Sequence, residues 1–208
     1  MKSNGLHVDA KSFDKLKIEL NKVQDQIPNA TASALNRTLQ YTKTQTDKIV
    51  RERYSVKSER VKKSLKEHKA TKNNLNAWLE AKGSTMTMAS FPHNPQKVGN
   101  RRKNIKVRIK KIEGYKTVNP STDPVSGRTL KPFIQTAKNS TLIWKREGKT
   151  RFPIYPLRSL SVPQMISDKS TMDTIHSMAQ KKLKERMTHE VNRRIDKAIK
   201  EVNKTWQL

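Results

Sequence analysis

A surplus of 27 positive charges, from 45 Lys and Arg against 18 Asp and Glu, limits this 208-residue chain more than any other feature. Like charges at that density repel one another in a compact state and attract polyanions. Only 33% of the residues are hydrophobic, against roughly 45–50% in an ordinary globular chain. Such a chain can bury a core, but a thin one. Either part of it stays disordered or part of its stability comes from partners. Nucleic acid is the first partner the charge suggests, an acidic protein surface the second and an anionic membrane the third.

Several chemistries are excluded by residue type. There is no cysteine, hence no disulfide framework, thiolate metal site or thiol nucleophile. No run approaches the length of about 18 apolar residues that a membrane-spanning helix needs, and Met1 to Lys11 holds no apolar signal region, so synthesis in a cytoplasm without export is expected. His7, His68, His93, His176 and His189 are widely separated and lack metal-ligand spacing. Gly5, Gly83, Gly99, Gly114, Gly127 and Gly148 are isolated, so no phosphate-cradling loop forms. Only Glu113, Asp123 and Glu147 are acidic between Ala81 and Ser167, too few for the clustered carboxylates of a metal-dependent nuclease. No enzyme activity, no metal and no cofactor are expected.

The periodicity predicts an α+β fold: N-terminal helices, a small antiparallel β-sheet with long loops, and a long C-terminal helix. Phe13, Leu16, Leu20, Val23 and Ile27 follow helical spacing within Asp9–Ile27, and Pro28 is expected to end that helix. A second helix is predicted from about Thr31 to Tyr54. A short third one is N-capped by Ser58 and carries Val61 and Leu65. Alternation at Leu75, Ala77, Leu79 and Ala81 reads as a strand, and Ser90–Gly99 reads as a loop. Ile105, Val107 and Ile109 alternate with Lys106, Arg108 and Lys110, the pattern of a half-buried strand with one basic face. Val118–Pro132, rich in proline, reads as a long loop or mobile arm. Leu142–Trp144 and Phe152–Ile154 flank Gly148 as a hairpin whose second strand is confined to an edge by Pro153 and Pro156. Trp144 and Phe152 are expected in the core. From about Ser170, Ile175, Ala179, Leu183, Met187, Val191, Ile195 and Ile199 recur every four residues, a stripe that drifts by roughly 40° per step around a helix. Its far end therefore packs either on another element of the fold or on a neighbouring subunit. The expected organisation is one domain: a helical part at 1–70, a basic sheet-and-loop part at 71–167 and the long helix at 168–208.

The sheet part carries more than half of the net charge. Its densest patch is Arg101, Arg102 and Lys103 followed by Lys106, Arg108, Lys110 and Lys111. Alternation would turn Lys106, Arg108 and Lys110 the same way, a ribbon suited to phosphates; a solvated strand face is the plainer reading. No aromatics interleave this run, so it is not built for base stacking. Contact with DNA there would go through the backbone without reading sequence. Arg51-Glu52-Arg53 and Glu59-Arg60 read as a solvated face with local ion pairs.

Two blocks of residues resemble the prophage minor tail protein Z family, the tail-completion proteins of long-tailed bacteriophages. The first is Arg51-Glu52-Arg53-Tyr54-Ser55-Val56-Lys57 followed by Val61-Lys62-Lys63-Ser64-Leu65, with Ala34-Leu35-Asn36-Arg37 before it. The second runs through Phe133-Ile134, Trp144-Lys145-Arg146-Glu147-Gly148-Lys149, Phe152-Pro153-Ile154 and Ser161-Val162-Pro163-Gln164-Met165. The last string is the most specific, and the resemblance covers roughly residues 30–191. It departs at Ser159-Leu160, where a Gly-Pro or similar turn is expected, and in the unusually basic 101–111 run. The resemblance implies a virion protein at the head-proximal end of the tail, one that completes the tail and joins it to the head. It further implies a homo-oligomeric ring of six copies around the DNA path. Its neighbours would be the tail terminator or tail tube and the head-tail connector proteins, with the phage DNA end inside the ring and no membrane. Arg51, Arg53, Tyr54, Trp144, Gly148, Pro153, Ile154, Val162, Pro163, Gln164 and Met165 would then be structural. The alternative from charge alone is a sequence-independent nucleic-acid-binding protein outside any virion.

Overall fold

The computed structural model describes residues 10–96, 98, 104–137, 140–148 and 150–206. The class is α+β, as the sequence implies. Helices α1 (Ala10–Arg53) and α2 (Ser58–Ser64) lead into strands β1 (Leu65–His68) and β2 (Trp78–Ala81). A single 3-10 turn at Met88–Ser90 precedes β3 (His93–Asn94), β4 (Lys106–Val107), β5 (Lys116–Thr117), β6 (Ser121–Thr122) and β7 (Thr129–Leu130). Then come β8 (Phe133–Ala137), β9 (Ser140–Arg146), β10 (Ile154–Pro156), the short α3 (Val162–Ile166) and α4 (Lys169–Trp206). All pairing is antiparallel where register is defined, in the orders β10-β9-β8, β3-β4-β5 and β6-β7; β1 pairs with β2.

Pro28 does not end the first helix: α1 runs through it for 44 residues. An internal proline costs about 3 kcal/mol through a missing hydrogen bond and a clash one turn back. The residues that follow offset this. Ala30, Ala32 and Ala34 are buried, and alanine is the strongest helix former. The Thr31 hydroxyl also donates to the Ile27 carbonyl at 3.0 Å. Ser58 is likewise not an N-cap. Lys57 holds that position without a side-chain bond, and the Ser58 hydroxyl donates to Asp47 Oδ2 at 2.9 Å instead. Leu65, expected on α2, begins β1.

Among the described residues the chain divides into two compact units, one gathering 10–42, 67–79 and 176–206, the other 43–66 and 80–175. In the first, the Asn36 side chain both donates to the Ala70 carbonyl (2.9 Å) and accepts from its N–H (2.8 Å). His68 stacks flat on Trp78 with centroids 4.5 Å apart. The strand expected from Leu75 starts only at Trp78, because residues 71–74 close a turn through reciprocal Thr71 and Asn74 backbone bonds, leaving Leu75 exposed. The apolar stripe of α4 drifts outward as its spacing requires. Ile175 is buried, the stripe residues from Ala179 to Val191 are half-buried, and Ile195 and Ile199 are exposed. The inward position near residue 190 falls to an acid, Glu190, which is fully buried.

The second unit is built on Val50, Val61, Ile143 and Met165, all essentially inaccessible. The Gly148 hairpin forms as expected, with Ile154 opposite Arg146 and Pro156 opposite Trp144, and β10 is a three-residue edge strand. Two core expectations fail here. Phe152 is 61% exposed and Trp144 is half-buried. A strand turns successive side chains to opposite faces, and Ile143, 1% exposed, takes the inner side together with its partner Ile134. Trp144 must then face outward. The segment 118–132 is no arm. It folds into the β6–β7 hairpin, closed by buried Asp123, whose carboxylate accepts from Val125 N (3.2 Å) and whose carbonyl accepts from Gly127 N (2.9 Å). Gly127 supplies the φ of +65° that this turn requires.

Candidate nucleic-acid interface

The basic run begins where alternation places it and then departs from a strand. Ile105 and Val107 are both 3% exposed, with Lys106 turned to solvent between them. Only Lys106–Val107 is paired as β4. Beyond it the chain is held elsewhere: Arg108 N donates to Pro92 O (2.9 Å), Ser55 N to Ile109 O (2.8 Å) and Lys111 N to Arg53 O (2.8 Å). The expected strand is therefore cut short because the end of α1 competes for its backbone. Arg101, Arg102 and Lys103 lie outside the described residues.

The four remaining cations are not equivalent. Lys110 faces Glu113 at 3.3 Å, and Lys116 reaches the same carboxylate at 2.6 Å. Lys116 first and Lys110 second hold the Glu113 carboxyl below its usual range. Glu113 in turn raises the Lys110 ammonium. Lys110 is thus charge-compensated. Arg108 lies over the Tyr115 ring, 5.3 Å from its centroid, and its buried Nε has no hydrogen-bond partner among the described residues. Lys106 and Lys111 are exposed.

Arg108 and Lys111 join a cleft of about 1300 Å³ that no pattern in the sequence announces as a whole. It is also lined by α2, which contributes Arg60 and Lys63, with Lys57 just before it. Its lining is rich in hydroxyls, among them Ser55, whose buried Oγ likewise has no hydrogen-bond partner among the described residues. The expected Glu59–Arg60 pairing gives way to Glu59–Lys63 at 2.7 Å, because i and i+4 are neighbours on a helix while i and i+1 are not. Glu59, the only acid among the described residues that line the cleft, is therefore engaged, and Lys63 holds its carboxyl below the usual range. The three-residue spacing of Lys57, Arg60 and Lys63 was the available signal: Arg60 and Lys63 share one side of α2, and Lys57 precedes its first turn. The cleft brings Lys57, Arg60, Lys63, Arg108 and Lys111 and several hydroxyls together beside apolar Met86, Phe91, Leu142 and Val162, and its cations suit the phosphates of a nucleic-acid backbone.

The residues of the two sequence blocks brace this unit. Arg51 donates two hydrogen bonds to Asp47, Nε to Oδ1 at 3.2 Å and Nη2 to Oδ2 at 3.0 Å. Arg53 reaches the N-terminal end of α4, donating to Thr171 Oγ1 (3.0 Å), Thr174 Oγ1 (3.3 Å), the Ser170 hydroxyl and, just before the helix, Asp168 Oδ2 (3.5 Å). Tyr54 is buried, its backbone pairs antiparallel with that of Lys110, and its phenol is raised above its usual range by that burial first and by Asp168 second. The Ser161–Met165 string is a capping box. Ser161 N donates to Gln164 Oε1 (2.8 Å) and Gln164 N donates back to Ser161 Oγ (3.4 Å). Pro163 sits in the first turn, where its missing N–H costs nothing. Val162 and Met165 fill the core, with α3 packed on α2. Gly148 bends the chain between β9 and β10, Pro153 is exposed just before β10, and Ile154 opens that strand.

Among the described residues no group of three His, Asp or Glu side chains is placed to hold a metal ion, and no helix is long and apolar enough to cross a membrane. A family model described as prophage minor tail protein Z matches residues 11–204. No curated protein and no solved structure matches the chain.

Proposed function

The chain belongs to the prophage minor tail protein Z family, and from that premise we propose that it completes the head-proximal end of a bacteriophage tail and joins it to the head around the DNA path. The coarser part needs no proposal: it is a structural protein of a phage tail. The finer part rests on where the charge lies. Lys57, Arg60, Lys63, Arg108 and Lys111 converge on one hydroxyl-lined cleft whose acid, Glu59, is already paired. A structural protein that bound only its own copies would gain nothing from such a surface. Six copies in a ring would gather roughly +160 in one collar, a self-repulsive assembly unless a polyanion occupies it. A genome end threaded through the collar supplies that polyanion. Lys106, Arg108, Lys111 and, from the sequence, Arg101, Arg102 and Lys103 meet its phosphates, and each neutralised phosphate releases counterions. The ring faces the tail tube or tail terminator on one side and the head-tail connector on the other.

The test is a phage carrying a nonsense mutation in this gene, complemented by a tagged copy. Without the copy, tails and heads are expected to accumulate without yielding infectious particles. With it, the label should appear in the neck of every virion. Infectious particles of normal yield that lack the chain would overturn the reading.

A further inference from the structure

We infer that the outer face of the β8–β10 sheet is a stacking platform for the unpaired bases of a single-stranded nucleic acid. The inference goes beyond the duplex-backbone contact proposed above, and it rests on that reading only in taking the polyanion to be nucleic acid. Register places Phe133, Trp144 and Pro156 in one row across the three strands, with Arg146 and Ile154 in the next. Directly opposed residues point to the same face, and the buried Ile134–Ile143 pair fixes which face is inward. The outward row is thus aromatic. Trp144 is fixed in place by its Nε1, which donates to the Gln135 carbonyl at 3.1 Å. Arg146 lies over Phe133 at 5.0 Å from the ring centroid, and Arg151 lies over exposed Phe152 at 5.6 Å.

A sheet face of this kind could have been left for another protein, but its charge favours a polyanion. Glu147 is the only acid between Arg128 and Arg158, and it accepts a hydrogen bond from the Tyr155 hydroxyl. Aromatic rings interleaved with guanidinium groups form the surface on which bases stack irrespective of sequence. The platform is also continuous with the phosphate-binding cleft. Leu142 occupies the outward face one row from Trp144 and lines the cleft as well. A strand whose phosphates follow Arg60, Arg108 and Lys111 can therefore lay its bases on Trp144 and Phe152. In a duplex the bases are stacked on each other, and no ring can reach their faces.

The experiment measures binding of the full-length protein to fluorescently labelled oligothymidylate of about 12 nucleotides and to a duplex of the same length at physiological salt. The single strand is expected to bind on the order of 10-fold tighter than the duplex. Phe152→Ala should weaken single-strand binding about 5- to 100-fold and leave duplex binding unchanged, the range expected when one base no longer stacks. Phe152 is largely exposed, so this variant folds. Trp144→Ala should weaken binding likewise and Trp144→Phe should restore it, which a merely structural role for the indole would not produce in a binding ratio. Oligouridylate of the same length separates an RNA strand from a DNA strand, and tight binding of either over the duplex supports the platform. Equal binding of strand and duplex, with Phe152→Ala without effect on either, would overturn the platform while leaving the duplex reading intact. Failure to bind any of these nucleic acids at low salt would overturn both.

Discussion

The two compact units differ in their arginines: the first turns three of them onto one buried acid, while the second both braces itself with Arg51 and Arg53 and leaves others facing a cleft. In the first, three arginines converge on one buried carboxylate. Glu190 is 0% exposed, with Arg194 Nη1 at 2.7 Å, Arg37 Nη1 at 3.4 Å and Arg193 Nη2 at 3.8 Å. Arg194 also donates to the Glu190 carbonyl at 2.9 Å, closing a local ring. In the second, Arg108 and Arg60 look into a cleft whose acid is occupied by a lysine. Where cations have an internal anion they hold the fold. Where they have none, the charge remains available to an outside partner. The net charge of the chain alone could not separate these two populations.

Glu190 is where this difference meets its severest test. Glu190→Ala leaves three guanidinium groups without their anion and should cost about 3 kcal/mol of unfolding free energy, since removing one partner of a buried ion pair strands the other. Urea denaturation checks this, and a cost no larger than that of an exposed acid would erase the contrast. A smaller effect should appear in acid. Hydrogen bonding from Arg194 is the largest cause holding the Glu190 carboxyl below its ordinary 4.5. A folded-state value lower than the unfolded one adds stability that is complete above the unfolded value and disappears as pH falls through the folded value. Wild-type stability should therefore fall more steeply than that of Glu190→Gln below about pH 5, and parallel acid limbs would refute the linkage. The smallest stability effect belongs to the cleft. Arg60→Ser with Lys111→Ser should change stability by no more than about 0.5 kcal/mol. The same pair should reduce the salt slope of DNA binding by about 2, near 0.9 for each phosphate no longer neutralised. An unfolded double variant would show that these cations brace the unit rather than await a ligand.

Much of the fold was legible because short-range periodicity reports it. Alternation at Ile105 and Val107, the Gly148 hairpin and the drifting stripe of α4 are all local patterns. What failed was decided at longer range. Pro28 signals a helix end, yet burial of Ala30 to Ala34 outweighs the signal. Phe152 and Trp144 are large and apolar, yet strand parity gives the interior to Ile143. The strand at 105–110 was cut because residues 53–55 bind its backbone from far away in the sequence. The candidate site divides along the same line. Lys106, Arg108 and Lys111 were visible as a basic run, whereas the cleft that Arg108 and Lys111 share with α2 became a site only through folding. The capping box in Ser161–Gln164 was readable from spacing alone, as Ser followed three residues later by Gln.

The interleaving of the two units along the chain has a genetic consequence. Neither is encoded by an uninterrupted stretch: 10–42, 67–79 and 176–206 make one, with the pieces of the other lying between them. A premature stop before codon 190 would release a product in which Arg37 is deprived of the Glu190 carboxylate it pairs with. Nonsense fragments of this gene are therefore expected to behave as null alleles, and point substitutions, not truncations, are the means of dissecting it.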